Sequence, residues 1–183
     1  MTSRSLRRGA LRAPLLIAVV LIAIAFSRCG TDNGGSAQPR GPLQVRVTHV
    51  VDGDTIDVAL PDGNEDTVRY IGIDTPETVK PDTPVQCGGP RAHAVNDRLV
   101  SGRTVTLRFD AERRDVYGRL LAYVYLPLRE PGRRPLFVNA ELVRRGLART
   151  LTIPPNDSFA PLFARLAAQA GASSRGLWGH CSL

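Results

Sequence analysis

The sequence VVDGDTIDVAL, residues 50–60, places Asp52, Asp54 and Asp57 within six positions of a run that otherwise alternates between apolar and polar residues. Such alternation is typical of a half-buried β-strand, in which carboxylates are disfavoured. An Asp-Gly pair inside the run favours a hairpin turn. The pattern therefore predicts two strands joined near Gly53, and it leaves open whether the aspartates are only solvated turn residues.

A second acidic cluster follows the third apolar run, in IGIDTPET, residues 71–78, which contains Asp74 and Glu77. Pro76 fixes the backbone, so the strand is predicted to end beside these carboxylates. If the strands pair, Asp54 and Asp74 face each other, and two close carboxylates repel unless a positive charge neutralises them. A hard divalent cation with oxygen ligands supplies such a charge. Solvation of both clusters as ordinary turns is the alternative.

Two arginines favour the first interpretation. Arg69 lies within the third predicted strand, and Arg119 begins the fifth, directly after Tyr117 and Gly118. An arginine in an apolar run also commonly extends to the surface, which is the structural alternative. Its planar guanidinium, however, matches two phosphate oxygens at once. A cation, two guanidinium groups and a free carboxylate are the groups that phosphodiester hydrolysis needs, for charge stabilisation and for activating water.

Hydrophobic alternation predicts five short strands, with one helix after the third strand and others after the fifth. The strands are expected at residues 43–51, 54–60, 66–73, 103–111 and 119–126. The helices are expected to begin at Pro90, after a cap at Asn139, and after a cap at Asp157 or Ser158. This order predicts an α+β, mainly β fold, namely a five-stranded OB-type barrel packed by three helices.

The first residues have the composition of an export segment. Arginines precede an uncharged run of fifteen residues, 13–27, which is short for a membrane span of about 20 residues. We expect an export signal or a membrane anchor with its linker in residues 1–37, the end of that linker in 38–42, and a single domain in 43–183. The chain is accordingly expected to be secreted or held at the cell surface.

Charge and cysteine content refine the picture of the domain. Residues 1–37 contain five arginines and one aspartate, so the remaining 19 basic and 16 acidic residues reduce the net charge from +7 to +3. A mild positive charge is compatible with a polyanionic partner. An apolar content of 43% indicates a folded domain rather than a disordered chain. Cys87 and Cys181 indicate one disulfide in an exported protein, with a buried pair of free thiols as the alternative.

Five motifs together resemble the staphylococcal nuclease, or thermonuclease, family. They are VVDGDTIDV, VRYIGIDTPET, DVYGRLLAYVY, NAELVRRGLA and RGLW, and they occur in this order between Leu43 and Trp178. The resemblance implies an OB-fold barrel with three helices. It also implies a calcium-dependent endonuclease that acts on DNA and RNA with little sequence specificity and leaves 3′-phosphate ends.

The resemblance also implies roles for individual residues. Asp54, Asp74 and the carbonyl of Thr75 would bind Ca²⁺, and Glu77 would be the general base. Arg69 and Arg119 would hold the phosphate, and Tyr117 would line the nucleotide pocket. The implied partners are single-stranded or locally opened DNA and RNA. The chain is expected to be a monomer, tethered to a membrane if the N-terminal segment is retained.

The sequence departs from the family where tyrosines would pack near the bound nucleotide. After GLA the chain reads RTLTIPPND, with Thr150 and Thr152 and no aromatic residue. Base stacking on an aromatic ring contributes roughly 1–3 kcal/mol, so weaker substrate binding or an altered base preference is expected. A non-catalytic OB-fold module that binds nucleic acid is the alternative function.

Overall fold

The computed structural model describes residues 41–78, 84–128, 130 and 132–181. The predicted export signal or anchor of residues 1–37 lies outside them. In the described part of the chain, no helix is long and apolar enough to span a membrane.

The described residues form eight strands and four helices. The strands are β1 (Leu43–Asp52), β2 (Thr55–Ala59), β3 (Glu65–Tyr70), β4 (Gly72–Asp74), β5 (Thr104–Arg108), β6 (Leu120–Leu126), β7 (Leu136–Phe137) and β8 (Arg149–Leu151). The helices are α1 (Gly89–Val100), α2 (Val138–Arg144), α3 (Ala160–Ala172) and the single-turn α4 (Leu177–His180).

Five of the strands close into a barrel. The order β3-β2-β1-β5-β6 is antiparallel throughout, and a parallel pairing of β3 with β6 closes the ring, with Val68 opposite Leu120 and Tyr70 opposite Ala122. The predicted five-stranded OB-type barrel packed by three helices is confirmed, with α4 as an additional single turn. Strand β7 extends the sheet beyond β6, and β4 pairs with β8 outside the barrel.

The long strand β1 pairs with two neighbours. Its first residues pair with β5 and the rest pair with β2. The register shifts between Val47 and His49 and again between Val50 and Asp52, and such irregularities bend a strand. The alternation predicted for β1 is confirmed, because Val45 and Val47 are buried in the barrel while Gln44, Arg46 and Thr48 are exposed.

The third predicted strand is divided in two. Residue Gly72 has a φ of +80°, a conformation that favours glycine, and an added Cβ there would collide with the ring of Phe163. The chain therefore leaves the barrel after Tyr70 and pairs residues 72–74 with β8. This change of direction separates Asp74 from β3 and lets it approach the side chain of Arg69.

The helices pack against the barrel through apolar faces. In α1, Ala92 and Val95 are buried, and Leu99 is half-buried against the core. In α3, Phe163 and Ala170 are buried. Further apolar residues in and just before α3 pack against the core as partly buried side chains, and they are Phe159, Leu162, Leu166 and Ala167.

The predicted helix caps at Asn139 and at Asp157 or Ser158 are wrong. Asn139 lies inside α2, where its side-chain amide donates to the Ile71 carbonyl at 2.9 Å and its oxygen accepts from Val124 N–H at 2.9 Å. A buried amide that joins the helix to β6 and to the residue between β3 and β4 cannot also cap the helix. Helix α3 begins at Ala160 without a side-chain cap, and the Ser158 hydroxyl donates instead to Asp110 at 2.9 Å.

A disulfide joins the segment before α1 to the residue that follows α4. The sulfurs of Cys87 and Cys181 lie 2.01 Å apart, with 5.8 Å between their Cα atoms. The bond links positions separated by 94 residues and therefore fastens the C-terminal helix to the body of the domain.

Candidate functional site

An ion cluster forms where the β1–β2 turn meets the end of β3. Thr55 pairs with Arg69 across the two strands, which places Asp54 beside the arginine side chain. Arg69 Nη1 lies 2.6 Å from Asp54 Oδ1, and Nη2 donates to Asp74 Oδ1 at 2.8 Å. One guanidinium group therefore contacts both of the carboxylates that were predicted to face each other.

The buried carboxylate of Asp54 is held by further hydrogen bonds. It is only 4% exposed, so its charge needs polar partners. Its Oδ2 accepts from the backbone N–H of Thr75 at 2.6 Å and from the Thr75 hydroxyl at 2.9 Å, while Oδ1 accepts from the Thr55 hydroxyl at 3.1 Å. Asp54 is thus fixed against the segment that follows β4.

Asp74 occupies a more exposed position, with 54% of its side chain accessible. Partial burial raises the pKa of Asp74 above its usual value, the Arg69 guanidinium lowers it, and the nearby charge of Asp54 raises it, with a net upward shift. Two carboxylates share one guanidinium here, so the cluster retains one negative charge. Hard oxygens of this kind are the ligands that Ca²⁺ prefers.

Among residues 41–78, 84–128, 130 and 132–181, no group of three His, Cys, Asp or Glu side chains is arranged to hold a metal ion. The predicted set is smaller, since it combines Asp54 and Asp74 with one backbone carbonyl. Thr75 is buried and contacts Asp54 through its N–H and its hydroxyl. The Ca²⁺-binding role of these residues stays a prediction.

A second pair of carboxylates lies beside the first. Asp52 is 5% exposed, and its Oδ1 accepts from Gly53 N–H and from the Thr78 hydroxyl, both at 2.7 Å. Burial raises the pKa of Asp52, and a hydrogen bond with the Glu77 side chain raises it further. Glu77 is half-buried, and its backbone N–H donates to Gln86 Oε1 at 3.1 Å. The structure therefore places the predicted base against Asp52, close to Thr75 in the chain.

A cavity of about 540 Å³ brings Arg69 together with Arg119 and Tyr117. The Arg119 guanidinium lies over the Tyr117 ring, 5.4 Å from its centroid. The ring is 82% exposed, so one face is accessible to a ligand. Arg69 belongs to the ion cluster and also lines this cavity, and it joins the two parts of the site.

The buried Nη1 atom of Arg69 has no aligned hydrogen-bond acceptor within the part of the chain that the structure describes, although it lies close to Asp54. This Nη1 nevertheless forms the 2.6 Å ion pair with Asp54, so the charge of the buried guanidinium group is compensated although the N–H is not aligned with the carboxylate oxygen.

Sequence reasoning missed Asp115, which holds Arg119 in place. Its Oδ1 accepts from the N–H groups of Tyr117 and Arg119 at 3.0 Å, and its Oδ2 accepts from Arg119 Nε at 2.7 Å. An Asp four residues before an Arg, with an intervening Tyr-Gly, is the signal that would have found it. Arg114 also lines the cavity and pairs with Asp66 at 2.6 Å.

Part of the lining of this cavity is aliphatic. Leu151 and Ile153 line the cavity, and Ile153 is 62% exposed. Thr150 and Thr152, which stand in the segment where the family pattern has tyrosines, are not among the residues that line it. The two threonines that depart from the family pattern therefore lie outside the lining of this cavity, to which Leu151 and Ile153 of the same segment contribute.

Comparison with known proteins identifies the family. The family model described as "Staphylococcal nuclease homologue" matches residues 67–180. The thermonuclease of Staphylococcus intermedius is 36% identical over 167 residues, which covers 90% of this chain and 94% of that protein. The thermonuclease of Staphylococcus hyicus is 34% identical over 167 residues, covering 91% and 94% of the two chains.

A third relative is an SPbeta prophage-derived endonuclease of Bacillus subtilis. It is 41% identical over 138 residues, which covers 74% of this chain and 44% of that longer protein. The family match spans the barrel from β3 onward and all the described helices, and the thermonucleases match across nearly the whole chain. The chain therefore belongs to the staphylococcal nuclease family.

Proposed function

We propose that the chain is an exported, calcium-dependent endonuclease. It would hydrolyse single-stranded or locally opened DNA and RNA with little sequence specificity and leave 3′-phosphate ends. The observation that carries the proposal is the position of Arg69, which contacts Asp54 and Asp74 and lines the cavity that contains Arg119 and Tyr117. A phosphate in this cavity would lie beside two guanidinium groups and a pair of carboxylates.

The arginines would bind the scissile phosphate. The ion pairs of Arg69 with Asp54 and Asp74 and the anchoring of Arg119 by Asp115 support this role, because fixed donors stabilise developing charge without reorganisation. The exposed ring of Tyr117 supports a stacking contact with a base.

Asp54, Asp74 and the Thr75 carbonyl would hold the cation. The oxygen-rich donor set and its residual negative charge fit Ca²⁺ better than a softer metal. When bound, the cation would supply charge stabilisation at the phosphoryl oxygens. Glu77 would accept the proton of the attacking water. Its hydrogen bond with buried Asp52 supports a fixed orientation for the carboxyl group.

The experiment is a cleavage assay on single-stranded DNA with calcium or with chelator. We expect cleavage in calcium, loss of cleavage in chelator, and a rate loss of about 100-fold or more in Glu77→Gln. Glu65→Gln is the matched control, because Glu65 is an exposed carboxylate at the start of β3, and it should cleave like the wild type. Binding without cleavage at any calcium concentration would favour the alternative, a non-catalytic nucleic-acid-binding module.

Export and domain organisation are part of the same proposal. Residues 1–37 would direct export or anchor the chain, and residues 43–183 would form the catalytic domain, active as a monomer. The mass of the protein recovered from culture fluid separates a cleaved signal from a retained anchor. A full-length mass in the membrane fraction would indicate the anchor.

A further inference from the structure

A second cavity, of about 440 Å³, shares no lining residue with the cavity that contains Arg69. It lies where α1, the end of α2 and the connection between α3 and α4 meet. Its charged lining residues are Arg91, Arg98, Arg144, Arg145, Arg175 and His180. Neither the proposed reaction nor any of the described family motifs assigns a role to this arginine cavity.

The backbone brings these arginines together at a point of close approach. Leu177 N–H donates to the Gly146 carbonyl at 2.8 Å, and a Cβ on either Gly146 or Gly176 would collide with backbone of the other segment. Both glycines have positive φ, 70° and 54°. Arg145 and Arg175 directly precede the two glycines in the chain, so this contact holds their side chains near each other. The Arg175 guanidinium also donates to the Arg144 carbonyl at 3.4 Å.

The positive charge of the cavity is poorly balanced. Glu141 pairs with Arg144 at 2.7 Å and with Arg145 at 2.6 Å, so one carboxylate serves two guanidinium groups. Arg91, Arg98 and Arg175 have no ion pair with any carboxylate in the described ranges. Five guanidinium groups against one carboxylate leave an excess of four positive charges, before any charge on His180.

The chemistry of the lining distinguishes phosphates from bases as ligands. Guanidinium groups bind phosphate oxygens in a bidentate manner. No Phe, Tyr or Trp is among the lining residues in the part of the chain that the structure describes, and the imidazole of His180 is the one ring that the described lining offers to a base. A ligand that presents several phosphates to side chains from separate elements fits this arrangement better than a single small anion.

We propose that the arginine cavity is a second, non-catalytic binding site for the phosphate backbone of a nucleic acid strand. The identity of the polyanion rests on the proposed function, which supplies nucleic acid as the substrate. The site would increase affinity for long strands without contacting the scissile phosphate, and it would read charge rather than sequence.

The test compares two variants that remove the same charge. Arg91→Gln/Arg98→Gln removes two exposed arginines without an ion pair, and glutamine keeps a high helix propensity in α1. The control, Arg46→Gln/Arg165→Gln, removes two exposed arginines that line neither cavity. Binding of a fluorescein-labelled oligothymidylate to the full chain is followed by fluorescence anisotropy in EDTA over a range of salt concentrations.

We expect the Kd of the first variant to rise about tenfold and its slope of log K against log salt to fall by about 1.4, since each phosphate contact on a single strand contributes about 0.7. The control should change by less than about twofold. Equal weakening in both variants, or none in the first, would overturn the proposal. So would a variant that loses binding to vesicles containing phosphatidylglycerol while it keeps its affinity for the oligonucleotide.

Cleavage and binding assays on the same protein distinguish this proposal from the catalytic one. Cleavage of a short oligonucleotide in calcium tests the proposed function and does not require the arginine cavity. If the chain does not cleave but binds through Arg91 and Arg98, only the proposed function is contradicted. If the chain cleaves but its affinity for the oligothymidylate does not depend on these two arginines, only the proposal of a second site is contradicted.

Discussion

Single residues in this site serve two purposes at once. Asp54 completes the β1–β2 turn, in which Asp52 pairs with Thr55, and it presents a buried carboxylate to Arg69 and Thr75. Both of its oxygens are engaged, which makes its ionised form tolerable at 4% exposure. The hairpin and the acidic cluster are therefore the same feature, and a change in the turn is also a change in the site.

Gly53 makes this dependence testable. A Cβ at Gly53 would lie 2.8 Å from Thr75 Oγ1 and 2.9 Å from Ala92 Cβ, so alanine would push Thr75 away from Asp54. We expect Gly53→Ala to lower the free energy of unfolding by about 1–3 kcal/mol and to reduce nuclease activity by about 10- to 100-fold. Urea denaturation and single-stranded DNA cleavage measure the two effects.

The control for Gly53 is Gly41→Ala. No non-neighbouring atom of the described residues lies within 4 Å of a Cβ placed at Gly41, so the stability of this variant should change by less than about 0.5 kcal/mol. A Gly53→Ala variant that matches this control in stability and activity would contradict the steric argument.

At the residue scale, the sequence predicted the members of the site better than their contacts. Asp54, Asp74 and Arg69 were expected together, and they meet in one ion cluster. The hydrogen bond between Glu77 and Asp52 was not expected, because it depends on the path of the chain after Pro76. The spacing of residues along the chain indicates that a residue lies at the end of a strand, but it indicates little about the path of the loop that follows.

Strands and helices were likewise predicted better than the contacts between them. The barrel strands were predictable, because alternation of buried and exposed residues directly reflects the two faces of a strand. The division of β3 from β4 at Ile71 was not, because it involves the positive φ of Gly72 and a close approach of Phe163 from α3 that leaves no room for a Cβ, and no local pattern indicates that long-range contact. The cap predicted at Asn139 failed for a similar reason, since its amide is taken by Ile71 and Val124 from other elements.

The end of helix α2 carries a pH-dependent contribution to stability. Glu141 is 8% exposed, and although burial raises its pKa, hydrogen bonds from Arg144 and Arg145 hold the pKa below its usual value of 4.5. A carboxyl group whose pKa is lowered by folding stabilises the folded state fully above the unfolded pKa, and this stabilisation is lost as pH falls through the folded pKa. Acidification below about pH 5 should therefore weaken the domain.

Glu141→Gln should remove that contribution. We expect a loss of about 1–3 kcal/mol in the free energy of unfolding at pH 7, because charge-assisted hydrogen bonds are lost. The difference from wild type should narrow as pH falls from 4.5 toward the lower pKa of the folded carboxylate, because the unfolded chain takes up its proton first in this range. Urea denaturation at a series of pH values measures it, with exposed Glu65→Gln as a control. A difference that stays constant down to the lowest pH would contradict the ion-pair argument.

In the domain as a whole, two cavities that contain arginines lie on different parts of one fold. The cavity with Arg69 is formed at the barrel, where motif residues sit on paired strands, so the sequence predicted its centre. The arginine cavity is formed by helices whose arginines are distant along the chain. Their convergence depends on the close approach of Gly146 and Gly176, which no local pattern in the sequence specifies.

The disulfide between Cys87 and Cys181 fastens α4 to the segment before α1 and thereby closes a loop of most of the domain. Closing a long loop restricts the unfolded chain, so reduction should lower the free energy of unfolding by about 2–5 kcal/mol. Denaturation with and without dithiothreitol measures this loss, and Cys87→Ser/Cys181→Ser should show the same loss with no further response to the reductant. In the unreduced, denatured full chain of three cysteines, a thiol titration should find one free thiol, from Cys29. Three free thiols, or equal stability with and without dithiothreitol, would contradict the bond as a stabilising link.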